Sequence, residues 1–306
     1  MQLRIGTRGS ALARWQADWV AAQLRAAAVD VELVHIATQG DQQQGPIGAI
    51  GPPGVFTKEI QRALLDGRID VAVHSLKDLP TDVPTGLCLA ATPERASVAD
   101  VLVAPAWGQW LKLPPGARVA TGSLRRRAQL LHARNDLVMC DIRGNVETRL
   151  RKLQEGQYDA VILAEAGLRR LKLEGQITEV LPLSLLLPAI GQGALGIEAR
   201  GDDRGTRQYL ESLDHAATHS GVTAERALLA ALHGGCLAPI AAWGRIEGER
   251  LVLTGRVLSG DGSQRVEATL YDHPAEAESL GRKVAAVLSE AGAGEFIQAA
   301  RVLPPQ

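Results

Sequence analysis

Short apolar runs rich in β-branched residues alternate, along the first two thirds of the chain, with longer stretches that place an apolar residue every three or four positions. The short runs are typical of buried strands, and the longer period is typical of amphipathic helices. Their alternation predicts an α/β architecture. The predicted strands lie at 3–6, 31–37, 70–74, 101–104, 117–121, 137–142, 159–164 and 194–199, and the predicted helices at 11–27, 57–66, 124–134 and 146–155.

The pattern changes beyond about residue 216. Strands that alternate apolar and polar residues, without helices between them, favour an antiparallel sheet. The end of the chain is therefore predicted to be a small α+β region. Its elements are a helix at 222–232, strands at 238–247, 250–259 and 263–271, and a helix at 275–291.

Three stretches have little periodicity. Those at 92–98 and 187–193 are candidate linkers, as expected for a chain of 306 residues, which is too long for one ordinary core. The stretch at 40–54 is rich in glycine and proline and is expected to be a loop. It is either a lid over a site or a surface excursion.

The composition argues against several classes of protein. A net charge of −1, a pI near 6.7 and only ten aromatic residues fit poorly with nucleic-acid binding. No run of eighteen apolar residues predicts a membrane span, and charged side chains interrupt residues 1–26 where a signal peptide would be apolar. We therefore expect a soluble cytoplasmic protein with no nucleic-acid or membrane partner.

The three cysteines form no even disulfide framework, and none has metal-type spacing to another. Cys88 and Cys140 lie in apolar runs, where cysteine usually acts as a small hydrophobic residue. Cys236 differs because it follows two glycines in a predicted loop. No metal site is predicted.

Eight arginines fall between positions 118 and 151, against three acidic residues. The whole chain has 27 arginines and 6 lysines, so composition alone could explain the cluster. However, the arginines coincide with polar turns that follow strands and open helices, at 7–10, 121–123 and 143–145. Ser10, Ser123 and Asn145 in these turns are predicted helix N-caps. Ligands of open α/β sheets bind at such turns, and helix N-termini favour anions. The coincidence favours an anion site.

Asp78 follows a buried strand directly, at a position where catalytic groups of α/β folds are often found. A turn aspartate that caps the backbone before Pro80 would give the same pattern. His74 is interpreted as a core histidine, because no second histidine has metal-site spacing to it.

Six motifs occur in order along the chain. They are Thr-Arg-Gly-Ser-Ala-Leu-Ala at 7–13, Val-His-Ser-Leu-Lys-Asp-Leu-Pro at 73–80, Thr-Gly-Ser-Leu-Arg-Arg-Arg at 121–127, Arg-Gly-Asn-Val-Glu-Thr-Arg at 143–149, Pro-Ala-Ile-Gly-Gln-Gly at 188–193 and Gly-Gly-Cys at 234–236. With these motifs the chain resembles the porphobilinogen deaminase (hydroxymethylbilane synthase) family, from about residue 3 to its last domain.

The resemblance implies an enzyme that joins four porphobilinogen units head to tail, releases ammonia at each step, and hydrolyses off the linear tetrapyrrole hydroxymethylbilane. It implies a covalent dipyrromethane cofactor attached through Cys236, with Asp78 as the catalytic carboxylate, and a monomer that needs no metal. The residues that match cofactor- and substrate-binding positions are Arg8, Ser10, Lys77, Thr121, Ser123, Arg125, Arg126, Arg143, Arg149, Arg170 and Gln192.

The same resemblance implies three domains. Two are doubly wound α/β domains like those of periplasmic receptors, the first discontinuous at 1–93 and 194–213 and the second at 99–187. The third, at 216–306, is a small α+β domain with a three-stranded antiparallel sheet. The chain departs from the family pattern at Pro53, where many members have a lysine, and at His233 and Leu237 beside the Gly-Gly-Cys motif.

Two other classes of protein would account for part of this pattern. A non-catalytic anion receptor would show the same α/β pattern and arginines, but it would need neither Asp78 nor Cys236. A thiol hydrolase could use Cys236 with His233, although this pair has no recognised triad context.

Overall fold

The computed structural model describes residues 2–37, 57–234 and 238–302. The predicted loop at 40–54, Pro53, Leu237 and Cys236 therefore lie outside the described residues. The chain divides into two compact units, the first formed by Met1–Ala96 and Ala194–His219 and the second by Ser97–Gly193 and Ser220–Gln306. Among the described helices, none is long and apolar enough to cross a membrane.

The first unit contains a five-stranded sheet in its described residues, with the order β2-β1-β3-β10-β4. Strands β1, β2 and β3 are parallel, whereas β10 is antiparallel to both β3 and β4. The bounds are β1 Gln2–Thr7, β2 Asp30–His35, β3 Val71–Ser75, β4 Leu87–Ala91 and β10 Leu195–Arg200, with helices α1 Ala11–Ala26, α2 Lys58–Leu65 and α6 Arg204–Glu211.

The α/β region of the second unit repeats this arrangement, with the strand order β7-β6-β8-β5-β9. Strands β6, β7 and β8 are parallel, and β5 is antiparallel to both of its neighbours. The bounds are β5 Asp100–Val103, β6 Arg118–Ala120, β7 Val138–Cys140, β8 Ala160–Ala164 and β9 Glu179–Val180, with helices α3 Leu124–Ala133, α4 Val146–Gln154 and α5 Glu165–Arg170.

The second unit also holds an antiparallel sheet in the order β11-β12-β13. Its core includes Leu228, Leu253 and Leu288, which are fully buried. The bounds are β11 Ile240–Glu247, β12 Arg250–Leu258 and β13 Arg265–Asp272, with helices α7 Ala216–Ala231, α8 Ala277–Glu290 and α9 Ala293–Val302. The predicted fold class, two doubly wound α/β regions and a C-terminal three-stranded antiparallel sheet, is confirmed.

Helix α7 begins six residues before the predicted helix at 222–232. Gly221 interrupts the apolar pattern of the sequence, but the helix continues through it, and at this point its backbone lies in close contact with that of Gly244. A Cβ atom on Gly221 would lie 2.8 Å from the carbonyl oxygen of Gly244. Glycine is thus required by packing at this position.

Candidate active site

The first unit brings four of the predicted site residues to one edge of its sheet. Strands β1 and β3 are parallel and end at this edge. Arg8 and Ser10 follow β1, and Lys77 and Asp78 follow β3. Ser10 is the predicted N-cap of α1, and its hydroxyl accepts a hydrogen bond from the backbone N–H of Ala13 at 3.3 Å.

Asp78 lies at the end of a 3₁₀ turn, Leu76–Asp78, that follows β3 without a gap. The turn is anchored by Leu76, which is 1% exposed, and by its N–H group, which donates to the carbonyl of Ala194. Lys77 is half-buried and Asp78 is exposed. The carboxylate is therefore held by a rigid strand end, yet it is accessible to a ligand.

In the second unit, Thr121 and Ser123 form the turn between β6 and α3. The hydroxyl of Thr121 accepts a hydrogen bond from the N–H of Ser123, and Ser123 caps α3 through the N–H of Arg126. Gly122 lies where a Cβ atom would be 2.9 Å from the carbonyl oxygen of Ile142. The turn is thus held in place by its own polar side chains and by close contact with the end of β7.

Arg125 and Arg126 are bound to Asp100, a residue that the sequence patterns did not single out. Asp100 begins β5 and is fully buried, with Oδ2 at 2.7 Å from Nη2 of Arg125 and Oδ1 at 2.6 Å from Nη2 of Arg126. The two arginines are only 4% and 6% exposed. Since β5 pairs Asp100 with Ala164 at the end of β8, this cluster lies at the carboxyl edge of the parallel strands.

The charges of this cluster stabilise one another. Burial alone would raise the pKa of the Asp100 carboxyl, but the two guanidinium charges and their hydrogen bonds outweigh burial and hold this pKa well below its usual range. Burial lowers the pKa of Arg125, and the charge of Asp100 opposes that effect. A buried carboxylate between two arginines is thus the ionised form.

Gln192 joins the same cluster from the segment that leads to β10. Its side chain is 1% exposed and donates to Asp100 Oδ1 at 2.9 Å and to the carbonyl of Val98 at 2.7 Å. Nearby in sequence, the carbonyl of Gly193 accepts a hydrogen bond from Arg170 at 2.7 Å. Burial lowers the pKa of Arg170 to about 10.

Arg143 and Arg149 lie on the turn and helix that follow β7. Arg143 donates to Asp141 at 3.1 Å, and Arg149 donates to the carbonyl of Gly144 at 2.8 Å. Gly144 has a φ of 110°, a conformation that favours glycine, and the predicted N-cap Asn145 accepts from the N–H of Thr148. These contacts fix the two arginines at the same carboxyl edge as Arg125 and Arg126.

The remaining arginines of the 118–151 cluster are placed differently. Arg118 pairs with Asp159 and Arg134 pairs with Asp136. In each of these two ion pairs the aspartate neutralises the charge of its arginine, and the side chains are partly exposed. Arg127 is half-buried, and Arg151 is an exposed residue near Glu155. The arginine cluster of the sequence therefore contains both arginines at the carboxyl edge of the sheet and arginines in partly exposed ion pairs elsewhere.

His74 is a core residue, as expected, with 5% exposure and Nε2 at 3.1 Å from the buried carboxylate of Glu198. Cys88 and Cys140 are half-buried, and burial raises the pKa of both thiols. Among the residues that the structure describes, no group of three or more His, Cys, Asp or Glu side chains could hold a metal ion.

Comparison with known proteins adds two family matches. The porphobilinogen deaminase, dipyromethane cofactor binding domain matches residues 3–208, and the porphobilinogen deaminase C-terminal domain matches residues 220–290. The porphobilinogen deaminase of Geobacter metallireducens is 49% identical over 97% of this chain and 94% of that protein. The one from Geobacter sulfurreducens is 48% identical over the same shares.

Among solved structures, a methionine-binding protein aligns with a TM-score of 0.46 and 13% identity, over 69% of this chain and 89% of that chain. A putative methionine-binding lipoprotein from Bacillus subtilis aligns with a TM-score of 0.44 and 12% identity over the same shares.

The carboxyl edge of the first α/β sheet thus carries an exposed aspartate, and that of the second α/β sheet carries several arginines. The chain belongs to the porphobilinogen deaminase family, as the matches over nearly its whole length show. Members are transferases that carry a dipyrromethane cofactor and polymerise porphobilinogen into hydroxymethylbilane in tetrapyrrole biosynthesis.

A pyrrole cofactor whose side chains are carboxylates needs hydrogen-bond donors that the protein itself leaves unsatisfied. Nη1 of Arg143 is a buried donor that has no hydrogen-bond acceptor among the described residues, and the same holds for Nε of Arg125. Leaving such a donor unsatisfied is costly, and a ligand carboxylate would satisfy it. The donor set of the second unit therefore fits the dipyrromethane cofactor.

Proposed function

We propose that Asp78 is the catalytic acid of this deaminase. The observation that supports this role is its exposed carboxylate on a turn anchored directly at the end of β3, at the edge shared with Arg8 and Lys77. Asp78 gives a proton to the departing amine of porphobilinogen, and its carboxylate then stabilises positive charge on the pyrrole nitrogen. One fixed acid serves each of the four additions.

The polar residues around Asp78 and the arginines of the second unit bind the acetate and propionate groups of cofactor and substrate. Arginine suits this task because its planar fork matches a carboxylate with two parallel hydrogen bonds. The proposed binding residues are Arg8, Ser10, Lys77, Thr121, Ser123, Arg125, Arg126, Arg143, Arg149, Arg170 and Gln192. Their placement at carboxyl edges of parallel strands supports this assignment.

Cys236 is the proposed attachment point of the cofactor through a thioether. A thiolate is the side chain best suited to add to an electrophilic carbon, and the resulting thioether survives turnover. When bound, the dipyrromethane supplies the pyrrole carbon to which the first substrate is joined. We also propose that the enzyme is a cytoplasmic monomer with domains at 1–93 with 194–213, at 99–187 and at 216–306.

Intact-mass measurement tests the attachment point. The purified protein should carry the added mass of two linked pyrrole units, and the Cys236→Ala variant should lack it. The matched control is Cys140→Ala, which should keep the added mass because that thiol is half-buried and takes no part in attachment. A parent protein that carries no added mass and consumes no porphobilinogen would contradict the proposed cofactor attachment and the proposed activity.

The role of Asp78 is tested by Asp78→Asn, with Asp82→Asn as the control at a second exposed aspartate. Asp78→Asn should keep the cofactor mass but lower kcat by 10²-fold or more, on the order of what a general acid contributes. Asp82→Asn should keep its kcat. A near-normal rate for Asp78→Asn would assign the acid to another group.

A further inference from the structure

The C-terminal sheet contacts helix α3 of the same unit through one buried arginine, Arg256 on β12. Arg256 is 4% exposed, and its Nε donates to Glu267 at 2.5 Å. Its Nη1 donates to the side-chain oxygen of Gln129 at 2.8 Å and to the carbonyl of Ser184 at 3.2 Å. A cation from the C-terminal sheet therefore reaches the helix that carries Arg125 and Arg126.

Gln129 uses both ends of its amide, and its orientation is fixed by its partners. Its oxygen accepts from Arg256 and from the backbone N–H of Leu187 at 2.9 Å, and neither of these groups can accept. The amide nitrogen must then face acceptors, and it donates to the carbonyls of Leu187 at 3.1 Å and Arg125 at 3.2 Å. A 2% exposed Gln129 is thus locked in one conformation.

The carbonyl of Leu187 continues the connection to the charged cluster. It accepts a second hydrogen bond, from Nη1 of Arg125 at 2.6 Å, while Nη2 of the same guanidinium donates to Asp100 at 2.7 Å. The fork of Arg125 is held at two points, one of which depends on Leu187. An unbroken series of hydrogen bonds runs from Arg256 through Gln129 and Leu187 to Arg125.

We propose that Arg256 is a positioning residue for ligand binding, acting through Gln129 and Leu187 on the fork of Arg125. This inference rests on the proposed role of Arg125 as a carboxylate-binding residue. A binding group must be held within about 0.5 Å of its working geometry, and buried hydrogen bonds from neighbouring residues provide that restraint. The C-terminal sheet thereby contributes to substrate affinity without touching the substrate.

A second contact between α3 and the C-terminal region offers a control. Nδ1 of His132 lies 2.8 Å from the carbonyl of Gly262, and this contact does not include Gln129 or Leu187. If Arg256 only joined α3 to the C-terminal sheet, loss of the Arg256 contact and loss of the His132 contact would both lower stability and leave ligand binding unchanged. If Arg256 positions Arg125, only its own loss changes ligand binding.

The experiment compares Arg256→Met, Gln129→Glu and His132→Phe in the full-length holoenzyme. Gln129→Glu keeps an acceptor for Arg256 but removes the donor to Leu187, so it tests the connection while keeping the contact between the two regions. Both network variants should raise the KM for porphobilinogen by about tenfold with kcat within about twofold, the signature of lost binding that the ground state and the transition state share. His132→Phe should lower Tm but leave KM within about twofold.

Arg125→Lys completes the test, because lysine lacks the fork. Combined with Gln129→Glu, it should raise KM no further than Arg125→Lys alone, since the two residues act in series. A raised KM in Arg125→Lys with an unchanged KM in Gln129→Glu would overturn the positioning role alone. An unchanged KM in Arg125→Lys would overturn the proposed binding role of Arg125 and this inference with it.

Discussion

Each of the two units contains an aspartate between two arginines, and the two clusters differ in burial and place. In the first unit, Asp70 pairs with Arg4 and Arg200, whose side chains are 37% and 22% exposed. Asp70 precedes β3, so this cluster lies at the opposite end of the strand from Asp78. In the second unit, Asp100 is fully buried and lies at the carboxyl edge of the parallel strands.

The same three charges thus lie at the amino edge of one sheet and at the carboxyl edge of the other, where Arg125 and Arg126 are proposed to bind carboxylates. Ligands of open α/β sheets bind at the carboxyl edge, so the Asp70 cluster at the amino end of β3 is assigned a structural role. At the carboxyl edge, Asp100 holds the guanidinium groups of two predicted binding residues, Arg125 and Arg126, in fixed positions. Burial there strengthens each interaction because water screens it less.

The largest effect is expected on stability when each aspartate is replaced by its isosteric amide. Asp100→Asn leaves two buried guanidinium groups without a counter-charge and should cost about 3–5 kcal/mol. Asp70→Asn should cost less, about 1–2 kcal/mol, because Asp70 is buried but both of its arginine partners reach solvent. Urea unfolding combined with hydrogen exchange at β5 and β3 measures both. Equal losses would mean that burial does not separate the clusters.

A smaller effect is expected on ligand binding when an arginine of each cluster becomes lysine. Arg126→Lys should lower the fraction of protein that carries dipyrromethane or raise the KM by about tenfold, since lysine cannot replace a two-armed contact. Arg4→Lys should change neither quantity. Intact mass and initial rates provide the readouts, and a raised KM in Arg4→Lys would contradict the division into structural and binding clusters.

The clusters should also differ in their contribution to acid sensitivity. Burial would raise the pKa of Asp70, but hydrogen bonds from Arg4 and Arg200 outweigh it, so the folded pKa is lowered, as it is for Asp100. A lowered folded pKa adds stability above the unfolded value of about 3.9, and this stability is lost as pH falls towards the folded value. The acid-induced loss of stability should decrease from wild type to Asp70→Asn to Asp100→Asn.

Unfolding free energies between pH 6 and pH 3, chosen to bracket the unfolded value of about 3.9, give this order directly. Glu267→Gln serves as the control for loss of another paired acid, since Glu267 lies beside Arg256 and outside both clusters. If Asp100→Asn kept the acid sensitivity of the wild type, the ionised form of Asp100 would not be the source of that stability.

The smallest effect is expected from salt. Salt screens an ion pair that reaches solvent, as Arg4 does in its pair with Asp70, whereas it screens a fully buried pair much less. The stability lost in Arg4→Gln should therefore shrink between 0.1 M and 1 M NaCl, and the loss in Arg125→Gln should not. Urea unfolding at the two salt concentrations measures this, and the same salt dependence for both variants would contradict the contrast in burial.

Most strands and helices of the two α/β sheets could be predicted from the sequence because their apolar runs are strong and local. Helix α5 escaped prediction because Glu165–Arg170 is short and contains a glycine. Helix α6 escaped because its sequence is polar and also contains a glycine. The early start of α7 was not predicted, because glycine at position 221 is explained by close packing against Gly244, which lies 23 positions later in the sequence.

In the candidate site, too, features set by nearby residues could be predicted, and contacts between distant residues could not. Turn motifs indicated where Ser10, Ser123 and Asn145 would cap helices, and the structure confirms these caps because capping depends on residues three positions apart. The pairing of Asp100 with Arg125 joins residues 25 positions apart and could not be predicted. One local signal for this pairing was present, namely that Asp100 is an acidic residue directly before the apolar run of β5.

Strand β10 occupies the place between β3 and β4, although more than a hundred residues separate it from either strand in the chain. During synthesis, β4 emerges long before its hydrogen-bonded neighbour exists. The first sheet can close only after the α/β part of the second unit has been translated, and pairing over such a separation is entropically slow. A nascent chain that stops before residue 195 therefore leaves β3 and β4 with unpaired edges, which expose it to aggregation and to chaperones.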